Sequence, residues 1–153
     1  MRYALLAVTA LVVAGCNLDV AVPEDKPSDP ATETFASSLN IDLSKMTKTA
    51  AGTYYKDVKV GTGAALAAGN ANTVVVVSYL GLLKNGSPFA QVISETVALN
   101  NLVGGLQDAM PGMQVGGERI IVVPSSLGYG NSSLAPVPPN STLVFDVVLD
   151  LLP

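Results

Sequence analysis

Val137-Pro138-Pro139-Asn140-Ser141-Thr142-Leu143-Val144-Phe145-Asp146-Val147 decides how the chain is read. After the proline pair, Leu143, Phe145, Val147, Leu149 and Leu151 recur at every second residue. A period of two places them on one face of a strand over Thr142–Leu152. Upstream, Glu118–Val123 is strongly β-forming and stops at Pro124. Thr73–Leu83 is a long β-branched run closed by the turn signal Lys84-Asn85-Gly86. Tyr54–Val60 is a short strand ended by Gly61-Thr62-Gly63, and Thr96–Leu99 reads as another short strand.

Between them lies one helix. Asn100 or Asn101 offers an N-cap, Leu102, Val103, Leu106 and Met110 share one face, and Pro111-Gly112 ends it. Gly104 and Gly105 cost about 1 kcal/mol each relative to Ala, so this helix must be held by packing. The pattern is α+β: an antiparallel sheet wrapped on one short α-helix.

The 153 residues suit one domain with extra chain. The absence of His removes Ser-His-Asp and Cys-His chemistry and His-ligated metal sites. A single Cys removes intrachain disulfides and multi-cysteine metal sites. A net charge of −4 argues against nucleic acid as a partner. No cofactor and no metal is expected, and what remains must work with aromatic, aliphatic and backbone groups.

Residues 1–15 read as a secretory signal: Arg2, then the uncharged run Ala4–Val13, too short to span a membrane. Val13-Ala14-Gly15-Cys16 resembles the bacterial lipobox, in which the Cys thiol receives diacylglycerol. The alternative is an ordinary small-residue cleavage site with an incidental Cys16. Asn17 after Cys16 points to the outer membrane, facing periplasm or cell surface. Residues 16–45 then read as a flexible acidic, proline-containing tether. Pro23, Pro27 and Pro30 stand among six acids and two lysines, a composition that buries too little surface to offset its ordering entropy. The other reading of Phe35 to Leu43 is a structured extension lying on the domain. The domain itself is assigned to 46–153.

The segments in this order resemble the FKBP-type peptidyl-prolyl cis–trans isomerases. Val77-Ser78-Tyr79-Leu80-Gly81, Asn85-Gly86-Ser87-Pro88-Phe89, Leu102-Val103-Gly104-Gly105-Leu106, Gly112-Met113-Gln114-Val115-Gly116-Gly117, Leu127-Gly128-Tyr129-Gly130 and the opening stretch match its motifs from about Thr49 to Leu152. The resemblance implies an antiparallel half-barrel sheet clasping a short helix, with an aromatic pocket between them. It implies a pocket of Tyr79, Phe89, Val103, Leu106, Tyr129 and Phe145, with Leu102, Val137 and Ala90 at its margin. The Val103 N–H and the Tyr129 hydroxyl would hold peptide carbonyls. Four of the six aromatics of 46–153 fall at pocket positions; the plainer reading is that they are core.

Rotation about X-Pro bonds needs no nucleophile. The barrier of about 18–20 kcal/mol comes from amide resonance, and an apolar site that prefers the twisted, less polar amide lowers it by differential binding. Ala90 stands where the family usually has an Asp, and Leu106 where it often has a Trp. The chain between Phe89 and Val97 is shorter than in most members, and Glu95 falls near an often aromatic position. These departures imply a wider, less rigid pocket and slow catalysis.

The expected function is a lipid-anchored isomerase assisting envelope or secreted proteins. The alternatives are a prolyl-peptide-binding chaperone module with little catalysis and a structural envelope lipoprotein. On the outer sheet face, alternation places Val74, Val76, Ile120, Val122, Val144 and Val148. They read as β-branched filler or as a self-association face.

Overall fold

The computed structural model describes residues 26–153. The expected signal at 1–15 and the lipidation site at Cys16 lie outside the described residues. Six strands form one antiparallel sheet: β1 (Thr47–Lys48), β2 (Tyr54–Lys59), β3 (Val74–Leu83), β4 (Pro88–Ala98), β5 (Glu118–Val123) and β6 (Leu143–Leu151), in the order β1-β2-β5-β6-β3-β4. The helix α1 (Gly104–Ala109) packs on one face.

The period-two reading of β6 holds where it matters. Leu143, Phe145, Val147 and Leu149 are buried against α1, while Leu151 is 52% exposed beyond a register shift between Val76 and Val77. β3 contributes Val75 and Val77 to the same core. It turns through Lys84-Asn85-Gly86, where Gly86 takes a φ of 87° and donates to the Leu83 carbonyl.

Two local expectations are corrected. The short strand expected at Thr96–Leu99 is the end of β4, an 11-residue strand paired with β3 along its length. Its alternation is hidden in the sequence by irregular register between Val77 and Tyr79 and between Gly81 and Leu82, and by Ser94 at φ 48°. Neither Asn100 nor Asn101 caps the helix. They sit in a 3₁₀ turn, Leu99–Asn101, whose Asn100 N–H bonds Ala71 and whose Asn100 amide bonds Asn72. The helix starts after Val103 without a side-chain cap. Gly105 is required there by space: a Cβ would lie 2.3 Å from Val123 Cγ1, so helix and sheet approach more closely than any side chain allows.

The other end of α1 is closed by Arg119. This side chain, 4% exposed, donates to the Ala109 and Pro111 carbonyls, forks onto both Asp57 carboxylate oxygens at 2.7 and 3.1 Å, and stacks 4.3 Å from the Tyr55 ring centroid. Its charge is thus neutralised and its donors used, which a buried guanidinium requires.

For the tether, the second reading holds, the structured extension at Phe35 to Leu43. The described part of this stretch is a strap folded onto the outer sheet face. Three 3₁₀ turns, Pro30–Thr32, Ser37–Leu39 and Leu43–Lys45, shape it, with Asp29 and Asp42 capping the first and third. Phe35, Leu39, Ile41, Leu43 and Met46 pack on Tyr54, Val122 and Val144, together with Leu82 and Ile120. The Ala36 N–H bonds the Lys84 carbonyl at 2.9 Å. The strap is too poor in apolar residues for a core of its own, but it needs none, because the sheet supplies the other half.

The strap also corrects the outer face. Val122 and Val144 are 0% and 3% exposed beneath it, so they belong to the interior. Val74 stays open at 43%, and Val76, Ile120 and Val148 are half-buried. The six-residue self-association face does not exist as one surface.

Candidate active site

The inner face of the sheet carries the site. On β3, Tyr79 and Gly81 point the same way as Val75 and Val77; on β6, Phe145 lies directly opposite Gly81, with Ile121 of β5 on its other side. Across the β3–β4 pairing, Gly81 faces Ala90, while Leu82 faces Pro88, so Phe89 is the extra residue between them. That irregularity turns the Phe89 ring over Gly81. A Cβ on Gly81 would meet the ring at 2.7 Å, so the missing side chain is the space the ring occupies.

The rings form a continuous edge-to-face chain. Tyr79 meets Phe145 at 5.9 Å and 75°, Phe145 meets Phe89 at 5.6 Å and 83°, and Phe89 meets Tyr129 at 6.1 Å and 81°. These separations and angles are the preferred arrangement for aromatic quadrupoles. Phe145, Leu106 and Val137 are buried, whereas Tyr79, Phe89, Leu102, Val103 and Tyr129 are half-buried and pack on the same core. One cluster therefore brings together all eight large residues expected at the pocket. Ala90 stands at its edge, half-buried beside Phe89.

Leu106, at 2% exposure, lies within the core cluster beneath the rings. Val103, the residue before the helix, offers its carbonyl to the Leu106 and Gln107 amides. Its own N–H has no acceptor among the described residues and stands at the positive end of α1.

The electrostatics are sparse. Burial raises the Tyr79 phenol above its ordinary value, with the Glu95 carboxylate and Tyr129 adding to the rise. No carboxylate hydrogen-bonds that phenol among the described residues; with Ala at position 90, the acid that reaches it is Glu95, on the exposed part of β4. The cluster is built of aromatic and aliphatic side chains. It can shelter a small apolar ring and offer an N–H and phenol groups to neighbouring carbonyls. It has no nucleophile or base to offer.

Sequence reasoning missed two supports. Gly81 lay inside a quoted motif, but its role as the bed of the Phe89 ring appears only in three dimensions. Ser28 lay in the presumed tether. Its N–H donates to Ser125 Oγ at 2.8 Å, while its Oγ accepts from the Ser125 N–H at 2.9 Å and from Thr142 Oγ1 at 2.8 Å. A polar residue in a proline-rich acidic stretch gives no signal of this.

Comparison with known proteins agrees with this geometry. Residues 67–150 match the family model described as FKBP-type peptidyl-prolyl cis-trans isomerase. FK506-binding protein 4 of Neurospora crassa is 35% identical over 131 residues, covering 82% of this chain and 27% of that protein. FK506-binding protein 3 of Candida albicans is 36% identical over 103 residues, covering 64% and 24%. The chain thus spans about a quarter of the length of these curated relatives. Among solved structures, FkpA from Escherichia coli superposes with a TM-score of 0.65 at 28% identity, over 76% of this chain and 55% of that one. A peptidyl-prolyl cis-trans isomerase from Pseudomonas syringae gives 0.65 at 27%, over 71% and 80%. With that family model matched over more than half of the chain and these structures superposing on it, the chain belongs to the FKBP-type peptidyl-prolyl cis-trans isomerase family.

Proposed function

We propose that this protein is a peptidyl-prolyl cis–trans isomerase of modest rate, lipid-anchored through Cys16 in a bacterial cell envelope, probing prolyl segments of envelope or secreted proteins. The observation that carries the catalytic part is the ring chain from Tyr79 through Phe145 and Phe89 to Tyr129. A prolyl ring entering between these faces leaves water together with its imide bond. The twisted imide has lost resonance and polarity, so a dry aromatic cleft holds it better than either planar isomer. In this reading the Val103 N–H and the Tyr129 phenol keep the flanking carbonyls still while the bond turns.

The modest rate follows from Ala90. Without a carboxylate at position 90, the rim has one less group to order it, and the acid that reaches Tyr79 is Glu95. A prolyl isomerisation assay on the intact chain, by protease coupling or exchange NMR, tests this. Catalysis above the spontaneous rate is expected, with a loss of about tenfold in Tyr129→Phe, the order of one hydrogen bond to the bound peptide. Catalysis unchanged by both Tyr129→Phe and Phe89→Ala would refute the site.

The second reading, a prolyl-peptide-binding module with little catalysis, draws on the same absent carboxylate. Ala90→Asp separates the two. A large gain in rate at constant peptide affinity places the natural protein nearer the binding end; no gain leaves it an enzyme limited elsewhere. The structural-lipoprotein reading loses its support where the strap covers Val122 and Val144. The anchor is tested by labelled palmitate in growing cells: incorporation is expected, with loss in Cys16→Ser. An unlabelled wild-type chain would remove the anchor from the proposal.

A further inference from the structure

The strap joins the base of the active-site loop through a closed polar network. Ser125 is 0% and Thr142 is 1% exposed. Ser28 exchanges two hydrogen bonds with Ser125, N–H to Oγ in each direction, and accepts a third from Thr142 Oγ1. Pro30, two residues on, is buried.

Ser125 in turn is the root of the loop that presents Tyr129. Its carbonyl accepts from the Gly128 N–H at 3.0 Å and from the Gly130 N–H at 2.8 Å. These two glycines bracket Tyr129, whose ring rests on Phe89. On the far side, the Gly130 carbonyl accepts from the Asn140 N–H at 2.8 Å. The Tyr129 loop is therefore slung between Ser125 and the 138–142 segment, and Ser28 is the group that joins Ser125 to Thr142.

We infer that Ser28 is a positioning residue for the isomerase site, and that the strap is a latch through which the N-terminal segment sets the placement of Tyr129. This rests on the isomerase reading proposed above. Two buried donors, the Ser125 N–H and the Thr142 hydroxyl, depend on one oxygen that arrives from the other end of the chain. A buried donor left without an acceptor is costly enough to drive local rearrangement, and here the rearranging segment carries Tyr129. Phe35, Leu39 and Ile41, by contrast, pack with Tyr54, Val122 and Val144 on the outer face.

The test compares two strap variants in the full chain. Ser28→Ala is expected to lower kcat/KM for a prolyl peptide about five- to tenfold, the loss from roughly one unsatisfied hydrogen bond. The Tyr129 signal, followed with fluorotyrosine by ¹⁹F NMR, should shift and broaden, and amide exchange at Gly128 and Gly130 should quicken. Ser28→Thr, which keeps the hydroxyl, should restore all three. Ile41→Ala should lower Tm while leaving kcat/KM and the Tyr129 signal unchanged at a temperature where it is fully folded. Equal loss of kcat/KM in Ile41→Ala and Ser28→Ala would reduce the strap to bulk stability and overturn the inference. So would a Ser28→Ala protein with wild-type rate and an unmoved Tyr129 signal. Should the wild-type chain prove catalytically silent, the isomerase reading fails, and the NMR and exchange arms alone decide whether the latch holds Tyr129.

Discussion

Gly81→Ala is a one-carbon change that the structure makes expensive. The added Cβ would lie 2.7 Å from Cζ, 2.9 Å from Cε2 and 3.1 Å from Cε1 of Phe89. Carbon atoms in contact prefer about 3.5–4.0 Å, so the ring must retreat by about 1 Å. It cannot do so without loosening its edge-to-face contacts with Phe145 at 5.6 Å and Tyr129 at 6.1 Å. Such contacts are worth about 0.5–1.5 kcal/mol each, and overpacking by a methyl group costs about 1–3 kcal/mol. Alanine recovers about 0.4–1 kcal/mol by stiffening the unfolded chain, leaving a net loss of about 1–2 kcal/mol. For a domain of this size that lowers Tm by about 3–8 °C. Because the displaced ring is a wall of the cleft, kcat/KM should fall by about tenfold or more, the scale on which an ångström of misplacement acts. Differential scanning calorimetry and the isomerase assay read the two effects. In Gly81→Ala/Phe89→Leu the shorter side chain clears the clash, so the two substitutions should cost less together than their sum, while activity stays low. A Gly81→Ala protein with wild-type Tm and wild-type kcat/KM would show that Phe89 does not lie on Gly81 in solution.

Other outcomes follow from single groups. The Tyr79 phenol is raised by burial, Glu95 and Tyr129, so the folded protein should hold this proton above the pH where the unfolded chain releases it; stability is then complete below about pH 10 and declines as pH rises through the folded value. With no Trp to obscure tyrosinate absorbance, a titration should show one late tyrosine that moves down in Glu95→Gln and disappears in Tyr79→Phe; an unmoved late step in Glu95→Gln would contradict the placement of that carboxylate. Asp146 is raised by burial and then by Glu118, and its Oδ1 is buried without a partner. Its charge therefore disfavours folding as pH rises through and above the ordinary carboxylate range, and Asp146→Asn should raise Tm at pH 7 but not at pH 3; a gain of equal size at both pH values would mean the effect is not one of charge. Arg119→Lys keeps the charge but loses the fork onto Asp57, the helix carbonyls and the stack on Tyr55; a loss of about 1–3 kcal/mol in denaturant unfolding is expected, and a loss below about 0.5 kcal/mol would show the pair to be dispensable.

What could be read ahead of the structure was whatever repeats at short range. β5 is bounded in the structure as its composition suggests, and β6 differs from the expected span by one residue at each end. Both lie in the middle of the sheet, where the inner face is buried along each strand up to Leu151 at the end of β6, and alternation is enforced. β4 lies at the edge, interrupted by irregular register and by Ser94, and its alternation is lost. The helix cap was misplaced because Asn100 is drawn toward Ala71 and Asn72, a tertiary demand stronger than local capping. The aromatic positions were legible through ordered motifs rather than through periodicity. The strap was legible only as the second of two readings, because the surface it covers is assembled from Tyr54, Val122 and Val144, residues far apart along the chain. No local window contains both halves of that packing, and sparse apolar residues in an acidic, proline-containing stretch look like coil until the other half is known.

The closure at Ser28 joins residues 97 and 114 positions apart in sequence. Synthesis delivers the strap early and its receptors late. At about 5–20 residues per second, the interval between Ser28 and the end of β6 is on the order of 10 s. During that interval Phe35, Leu39 and Ile41 have no sheet face to cover, and the loop bearing Tyr129 has no anchor. High separation between partners also slows the search that unites them. The nascent chain therefore passes through a stage in which most of its length exists but its cleft does not, and the arrival of Thr142 to Phe145 completes the latch and the pocket floor together.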